Sequence, residues 1–302
     1  MLVLEYLISG LLFGASYSLV AIGFTLIFGT LNRLNIAHGA TIMAAAFAGA
    51  YISLRFGGST SYAILALAFV VSVVTGAVVG IVVWASAFAP LRNASPLAPF
   101  ITSAAVTLVM EESVSVLSRK VALFSPEFSS FPSPMENLVF SIGPILIRGA
   151  HVAIFVIAAV LMLGLHWWIT RSAMGRAIRA VEENPTVAWL MGINVRHVEI
   201  AVFAVASAIA GAAGCLIGVS MGIVSPFMGS NLSLTAFVII VLAGLGSLYG
   251  AMICGLLVGV IETTIVGLVS ASMKEAVLFV ILFAVLVIRP EGLFAGQQVK
   301  RD

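Results

Sequence analysis

Long apolar runs separated by short polar segments make up most of the chain. Most of these runs have the length that a membrane-crossing helix requires, about 20 apolar residues for roughly 30 Å of hydrocarbon. The seventh and ninth runs are short. The pattern predicts an all-α fold, a polytopic transmembrane helical bundle of about eight or nine spans, with residues 1–302 forming one domain. The nine runs lie at 4–29, 37–56, 62–89, 97–118, 149–170, 198–220, 232–246, 249–270 and 274–289.

The seventh run ends in a glycine-rich segment, residues 244–250, with the sequence GLGSLYG. Three glycines in seven residues predict a turn or a broken helix, and the preceding run could then turn back as a re-entrant half-helix. Irregular backbone inside a membrane is tolerated where protein or a water-filled cavity covers it, and transporters place binding sites at such breaks. The residues predicted to act in translocation or helix packing here are Gly244, Gly246, Ser247 and Gly250.

Composition excludes a water-soluble protein. Of the 302 residues 62% are hydrophobic and only 9% are charged, against about 25% charged residues in soluble domains. The net charge of +2 gives no polyanion-binding surface, so no nucleic acid partner is expected. Cys215 and Cys254 lie inside apolar runs and no histidine has a partner four residues away, so no metal site is expected.

The basic residues predict the orientation of the chain. If the N-terminus is outside, nine of the 14 basic residues fall on the cytoplasmic side, Lys300 and Arg301 among them. This is the direction that the positive-inside rule favours. The segment 171–197 is then a cytoplasmic loop.

The segment 171–197 is predicted to form two short helices, and we call it the cytoplasmic hairpin. The first helix is basic, with Arg176 and Arg179 three residues apart on one side. The second has Asn184 as a candidate N-cap, Pro185 at its first position and Gly192 just beyond its end.

The second helix carries apolar residues that no membrane span explains: Val187, Trp189, Leu190 and Met191. A capped helix with such side chains outside the membrane is typical of a surface that inserts into a partner protein. The alternative is an interfacial helix that lies on the lipid headgroups.

Ionisable and amide residues inside spans are candidates for function because they are costly in lipid. Glu111 and Glu112 lie toward the outer end of the fourth run and point about 100° apart, so they cannot form a carboxylate dyad. Glu262, in the eighth run, is predicted either to line a pathway or to bond between helices. At the start of the second run, Asn35 and His38 are predicted to bond across helices, and Gly39 to permit close packing.

Five segments in matching order resemble the branched-chain amino acid ABC transporter permeases, and the shorter, high-affinity type most closely. They include the start of the chain (14–51, GASYSLVAIGF onward), the third loop and fourth span (90–108, PLRNASPLAPF onward) and the hairpin (171–194, RSAMGRAIRAVEENPTVAWLMGIN). The glycine-rich segment (241–262, VLAGLGSLYG onward) and the C-terminal RPEGLFAG (289–296) are similar to the same family.

The resemblance implies a non-catalytic, multi-pass permease subunit of an ATP-driven importer in a bacterial inner (plasma) membrane. It implies a second homologous permease subunit, usually as a heterodimer, two cytoplasmic ATPase subunits, and a periplasmic substrate-binding protein. The hairpin would couple the bundle to the ATPase subunits, and ATP and Mg would be bound by those partners, leaving this chain without a cofactor. The chain contains no Walker A sequence, which agrees with this division.

The family more often carries neutral amides where this chain has Glu111 and Glu112, so the substrate stays open at this point. Branched-chain or related small amino acids are expected, and urea, short amides and aromatic acids are alternatives. A secondary transporter driven by an ion gradient is a further alternative, although it would have no need of the capped hairpin. An intramembrane enzyme would require a nucleophile–base pair or a metal cluster, which the sequence does not contain.

Overall fold

The computed structural model describes residues 2–57, 61–92, 94–121, 124, 128–135, 138–142 and 145–294. Eight helices in this part of the chain are long and apolar enough to cross a membrane, which confirms the polytopic helical bundle. The α-helices are α1 (Leu2–Leu31), α2 (Ala37–Phe56), α3 (Tyr62–Val83), α4 (Leu97–Lys120), α5 (Gly149–Arg171), α6 (Ala173–Glu183), α7 (Pro185–Leu190), α8 (Val195–Met221), α9 (Met228–Ala243), α10 (Leu248–Leu268) and α11 (Lys274–Ile288).

Helix α9 is a short helix that crosses the bundle instead of turning back. Its 16 residues extend about 24 Å. It follows strand β4 (Ile223–Val224), which pairs with β1 (Ser129–Ser130) between the outer ends of α4 and α5. Its other end accepts backbone hydrogen bonds from Leu293 and Phe294, beyond α11. Helix α9 thus runs from the outer segment to the residues that follow α11, and the glycine-rich segment separates it from α10.

The passes alternate in direction, so the hairpin, the α3–α4 loop and the end of α11 share one side. This side carries Arg33, Arg92, Arg171, Arg176, Arg179, Arg196 and Arg289, whereas Lys300 and Arg301 lie outside the described residues. The positive-inside rule assigns this side to the cytoplasm.

Small residues hold the most closely packed helices together. A Cβ atom on Gly259 of α10 would collide with Gly14 of α1, and the Ser18 hydroxyl donates to the Met252 carbonyl at 2.7 Å. Between α3 and α8, a Cβ atom on Gly76 would likewise collide with the Ser207 carbonyl oxygen. Helices in lipid associate through this close approach, since hydrophobic exclusion does not drive them together.

The outer segment between α4 and α5 contains short strands that the sequence did not predict. Besides β1, it forms an antiparallel hairpin of β2 (Val139–Ile142) and β3 (Ile145–Arg148). The proline-rich sequence predicts that no long helix forms there, and the described residues between α4 and α5 contain none.

Candidate functional site

Helix α6 is fixed against the cytoplasmic end of α5. Ser172 is its N-cap and accepts a hydrogen bond from the Gly175 amide at 2.9 Å. A Cβ atom on Gly175 would collide with the Ile169 carbonyl oxygen, to which Arg179 also donates a hydrogen bond. Ile178 is buried on the same side of α6. The first half of the hairpin therefore moves with α5.

Helix α7 has the caps that the sequence predicts. The Asn184 side-chain oxygen accepts hydrogen bonds from the amides of Thr186 and Val187 at 3.0 and 3.1 Å, and Pro185 is the first helical residue. At the other end Gly192 has a φ of 84°, a left-handed conformation that glycine adopts without strain. The short helix is thus held at both ends.

Four of the five apolar side chains of α7 and its C-cap residue, Met191, face away from the bundle. Ala188 is buried, at 2% exposure. The others are exposed by more than half, at 53% for Val187, 66% for Trp189, 70% for Leu190 and 78% for Met191. A contiguous apolar surface of this kind, held on a capped helix, is typical of a protein-binding site.

Glu182 lies near the end of α6, where its carboxylate approaches Gly29 of α1. Loss of solvent raises the pKa of this carboxyl group, and the charge of Glu183 raises it further, while Arg179 acts in the opposite direction.

The hairpin continues directly into α8, whose first turns bind the α3–α4 region. Asn194 caps α8 through the His197 amide. The Glu199 carboxylate accepts from the Arg92 guanidinium at 2.8 Å and from the Trp84 indole N–H at 3.3 Å. The Arg196 guanidinium lies 5.6 Å from the Trp84 ring centroid, at cation–π distance.

A third arginine, Arg33, joins the α1–α2 loop to these residues. Arg33 donates to the carbonyl oxygens of Leu91 and Arg92 at 2.7 and 2.6 Å. Trp84 begins a π-helical turn, Trp84–Phe88, of the kind found often at functional sites. We call Arg33, Trp84, Arg92, Arg196 and Glu199 the cytoplasmic cluster.

Comparison with known protein families identifies the family to which the chain belongs. The family model for the branched-chain amino acid transport system permease component matches residues 6–286. The chain belongs to this permease family. None of the solved structures compared gives a significant match.

Curated relatives match the permease over nearly its whole length. It is 32% identical to the high-affinity branched-chain amino acid transport system permease protein BraD of Pseudomonas aeruginosa, over 99% of this chain and 97% of that protein. The LivH protein of the same description from Escherichia coli gives the same identity and coverage. A probable branched-chain amino acid transport permease from Methanocaldococcus jannaschii is 29% identical over 91% of this chain and 87% of its own.

Glu111 of the permease is buried at 4% exposure and caps α9. Its Oε1 atom accepts from the amide and the hydroxyl of Ser230, at 2.7 and 2.6 Å. A carboxylate at the N-terminus of a helix also interacts favourably with the helix dipole. Glu112 is exposed on another side of α4. The adjacent carboxylates therefore have different surroundings, as their 100° separation predicts.

The segment from Asn35 to Gly39 joins α2 to α4 and α9. The Ile36 amide donates to Ser103 Oγ at 3.1 Å, and the Gly39 amide donates to Ser233 Oγ at 3.0 Å. Gly39 is required for the close approach, because a Cβ atom there would collide with the Gly229 carbonyl oxygen.

The two polar side chains of the same segment are enclosed by the bundle. Asn35 is buried, and the His38 ring is fully buried, edge-on to Phe24 with the ring centroids 5.7 Å apart. Both residues therefore lie within the helix packing of this chain.

The glycine break lies at the cytoplasmic end of α9 and α10, not at mid-membrane depth. Gly244 and Gly246 have φ values of 95° and 89°, and Ser247 caps α10 by accepting from the Gly250 amide at 3.1 Å. Gly292, after α11, packs directly against Gly244. This location differs from the intramembrane breaks that hold substrates in other transporters.

Glu262 is buried at 7% exposure in the outer part of α10. It accepts a hydrogen bond from the Lys274 ammonium at 2.9 Å. Lys274 is the first residue of α11, so this ion pair ties α11 to α10.

The predicted residues thus form separate groups. The hairpin residues gather into one cytoplasmic surface, whereas those inside the membrane are distributed over three helix contacts. Sequence reasoning did not identify Gly175, Glu199, Ser230 or Lys274. Glu199 and Ser230 act through residues 107 and 119 positions away, which no sequence pattern selects.

Proposed function

We propose that this permease is the membrane-spanning subunit of an ATP-driven importer for branched-chain amino acids in a bacterial inner (plasma) membrane. The relatives named for high-affinity branched-chain amino acid transport support this substrate class. The proposed assembly contains a second homologous permease subunit, two cytoplasmic ATPase subunits and a periplasmic substrate-binding protein. ATP and Mg bind to the ATPase subunits.

The observation that carries this proposal is the exposed apolar surface of α7 at the cytoplasmic side. Asn184 and Gly192 hold its two ends, and four apolar side chains point away from the bundle. Arg176 is exposed on α6, the other helix of the hairpin, whereas Arg179 donates to the Ile169 carbonyl oxygen of α5. In our proposal the surface inserts into a groove of an ATPase subunit.

The cytoplasmic cluster provides a route from the hairpin into the bundle. Because α8 follows the hairpin directly, displacement of α7 is passed to the first turns of α8. Glu199 then acts on the α3–α4 loop through Arg92, and Arg33 connects that loop to the start of α2. Alternating access requires such a bistable contact between an effector site and the helices.

The position of Glu111 bears on the choice of substrate. Two adjacent carboxylates facing the pathway would favour a cationic solute, but Glu111 is turned into the chain and bonded to Ser230. This supports a zwitterionic substrate, in agreement with the names of the relatives. Urea, short amides and aromatic acids are the alternatives to test against it.

The decisive experiment is co-purification of the permease with its ATPase subunit. Trp189→Glu places a charge in the apolar surface, and we expect loss of both co-purification and ATP-dependent uptake of leucine. Trp189→Phe, which keeps an aromatic side chain, is the matched control and should retain both. If Trp189→Glu binds the ATPase subunit and transports normally, the docking role is wrong.

The same preparation tests the alternative driving force. A secondary transporter would take up leucine in vesicles without any ATPase subunit, and collapse of the ion gradient would abolish uptake. We expect no uptake under these conditions.

A further inference from the structure

Helix α9 is too short to cross the hydrocarbon completely. Its 16 residues extend about 24 Å, against roughly 30 Å of hydrocarbon, whereas α11 and the turn before it form an 18-residue span, Ala271–Ile288. Both helices end at the cytoplasmic side, where residues 292–294 contact the end of α9. Helix α9 therefore begins below the outer membrane surface.

Polar side chains near the start of these two helices face away from the chain. Asn231 and Glu275 are exposed, Thr235 is half-buried, and all three line one crevice between α9 and α11. Asn231 precedes the end of α9 by 12 residues, which places it about 18 Å above that end. The Asn231 amide is therefore presented outward at membrane depth, and the Glu275 carboxylate lines the same crevice.

Lipid is an unfavourable neighbour for these groups. Ionisable residues inside membranes face the interior of a bundle or a water-filled cavity, because contact with hydrocarbon is costly. The exposed apolar side chains Val280 and Val287 of α11 show, by contrast, a surface suited to lipid. The side of α9 and α11 that carries Asn231 and Glu275 is thus suited to water.

The crevice is one wall of a site and not a complete pocket. Its volume of about 20 Å³ is too small to enclose an amino acid. Exposed apolar side chains, Leu234 at 47% and Phe279 at 45%, lie beside the polar ones. The wall therefore offers a carboxylate for an ammonium group, an amide donor for a carboxylate, and apolar contacts for a branched side chain.

We propose that this wall, made of Asn231, Leu234, Thr235, Glu275 and Phe279, lines the translocation pathway and contacts the zwitterionic substrate during transit. The proposal rests on the importer function above, and the second permease subunit supplies the opposite wall. The Glu111–Ser230 contact fixes the residue next to Asn231, so α4 holds the wall in position.

The first test is the accessibility of introduced cysteines to a water-soluble methanethiosulfonate reagent. The native cysteines are buried at 1% and 2% exposure, so they contribute little background. We expect Asn231→Cys in the assembled transporter to react at least about tenfold faster than Val280→Cys on the lipid-facing side of α11. Labelling of Asn231→Cys no faster than Val280→Cys would overturn the proposal.

The second test is uptake by the complete transporter in proteoliposomes. We expect Glu275→Gln to reduce leucine uptake about tenfold, while the ATPase rate stimulated by loaded binding protein changes less than about twofold. Glu112→Gln, which removes an exposed carboxylate from α4, is the charge-matched control and should leave uptake unchanged. Unchanged uptake with Glu275→Gln would remove the substrate contact from the proposal.

These outcomes are separable from failure of the proposed function. If the unaltered transporter shows no ATP-dependent uptake of branched-chain amino acids, the proposed function is wrong. If it transports and Asn231→Cys and Glu275→Gln behave like their controls, only the pathway wall is wrong.

Discussion

Replacing Glu111 by alanine removes the carboxylate that caps α9 inside the membrane. The amide and hydroxyl of Ser230 would then lose their acceptor in a half-buried position. Because Glu111 itself is buried at 4% exposure, water does not readily replace that acceptor. The permease should therefore lose stability at this helix.

Two reference values set the expected loss in the free energy of unfolding. Hydrogen bonds to charged groups contribute about 1.5–3 kcal/mol, whereas side-chain bonds between membrane helices average about 0.6 kcal/mol with a maximum of about 1.7. Both Ser230 donors share one oxygen, so their contributions are not additive. We expect Glu111→Ala to lower the free energy of unfolding by about 2–3 kcal/mol, and Glu111→Gln, which keeps an acceptor, by about 1 kcal/mol.

The assay is equilibrium unfolding of the purified permease in mixed micelles titrated with dodecyl sulfate. A double-mutant cycle of Glu111→Ala and Ser230→Ala should give a coupling free energy of about 1 kcal/mol. Glu112→Ala is the exposed control and should change stability by less than about 0.5 kcal/mol. A coupling below about 0.3 kcal/mol, or equal effects of Glu111→Ala and Glu112→Ala, would refute the reasoning.

Three further predictions follow from other contacts. Glu199→Gln removes the charge facing Arg92, so ATP-driven uptake should fall about two- to fivefold. Co-purification with the ATPase subunit should persist. Unchanged uptake would argue against transmission through the Arg92–Glu199 pair. In the same unfolding assay, Gly39→Ala should lower the free energy of unfolding by about 1–3 kcal/mol, because the added methyl group collides with α9. Gly192→Ala should lower it by about 1 kcal/mol through backbone strain. A Gly39→Ala variant as stable as the parent would exclude the close contact. The pKa of Glu182 is raised in the folded state, so the contribution of Glu182 to stability should increase as the pH falls through that pKa. The contribution should level off below the pKa of Glu182 in the unfolded chain. Thermal unfolding of Glu182→Gln at a series of pH values should lack this pH-dependent contribution.

Periodicity and capping chemistry were enough to predict the bundle and the hairpin. Membrane helices must satisfy their own backbone, so apolar length alone locates them. The ends of α7 were predictable because Asn184, Pro185 and Gly192 act on adjacent residues. Short-range interactions of this kind are readable from sequence.

The functions of the buried polar residues were not predictable in the same way. Glu111 bonds to a residue 119 positions away, and the sequence offers no signal that selects Ser230. The ion pair of Glu262 is easier to predict, because its partner Lys274 is only 12 positions away at the start of the next helix. The sequence does not single out Asn231 and Glu275, because their outward orientation depends on how α9 and α11 pack.

The most direct measurement is cross-linking of the hairpin to the ATPase subunit in intact cells. Met191→Cys places a thiol on the most exposed apolar residue of α7, and Phe128→Cys places one in the outer segment between α4 and α5 as the control. We expect a cross-linked product between Met191→Cys and the ATPase subunit, and none from Phe128→Cys. Labelling of Met191→Cys by a membrane-impermeant reagent from outside the cell, with no cross-link to an ATPase subunit, would contradict the account.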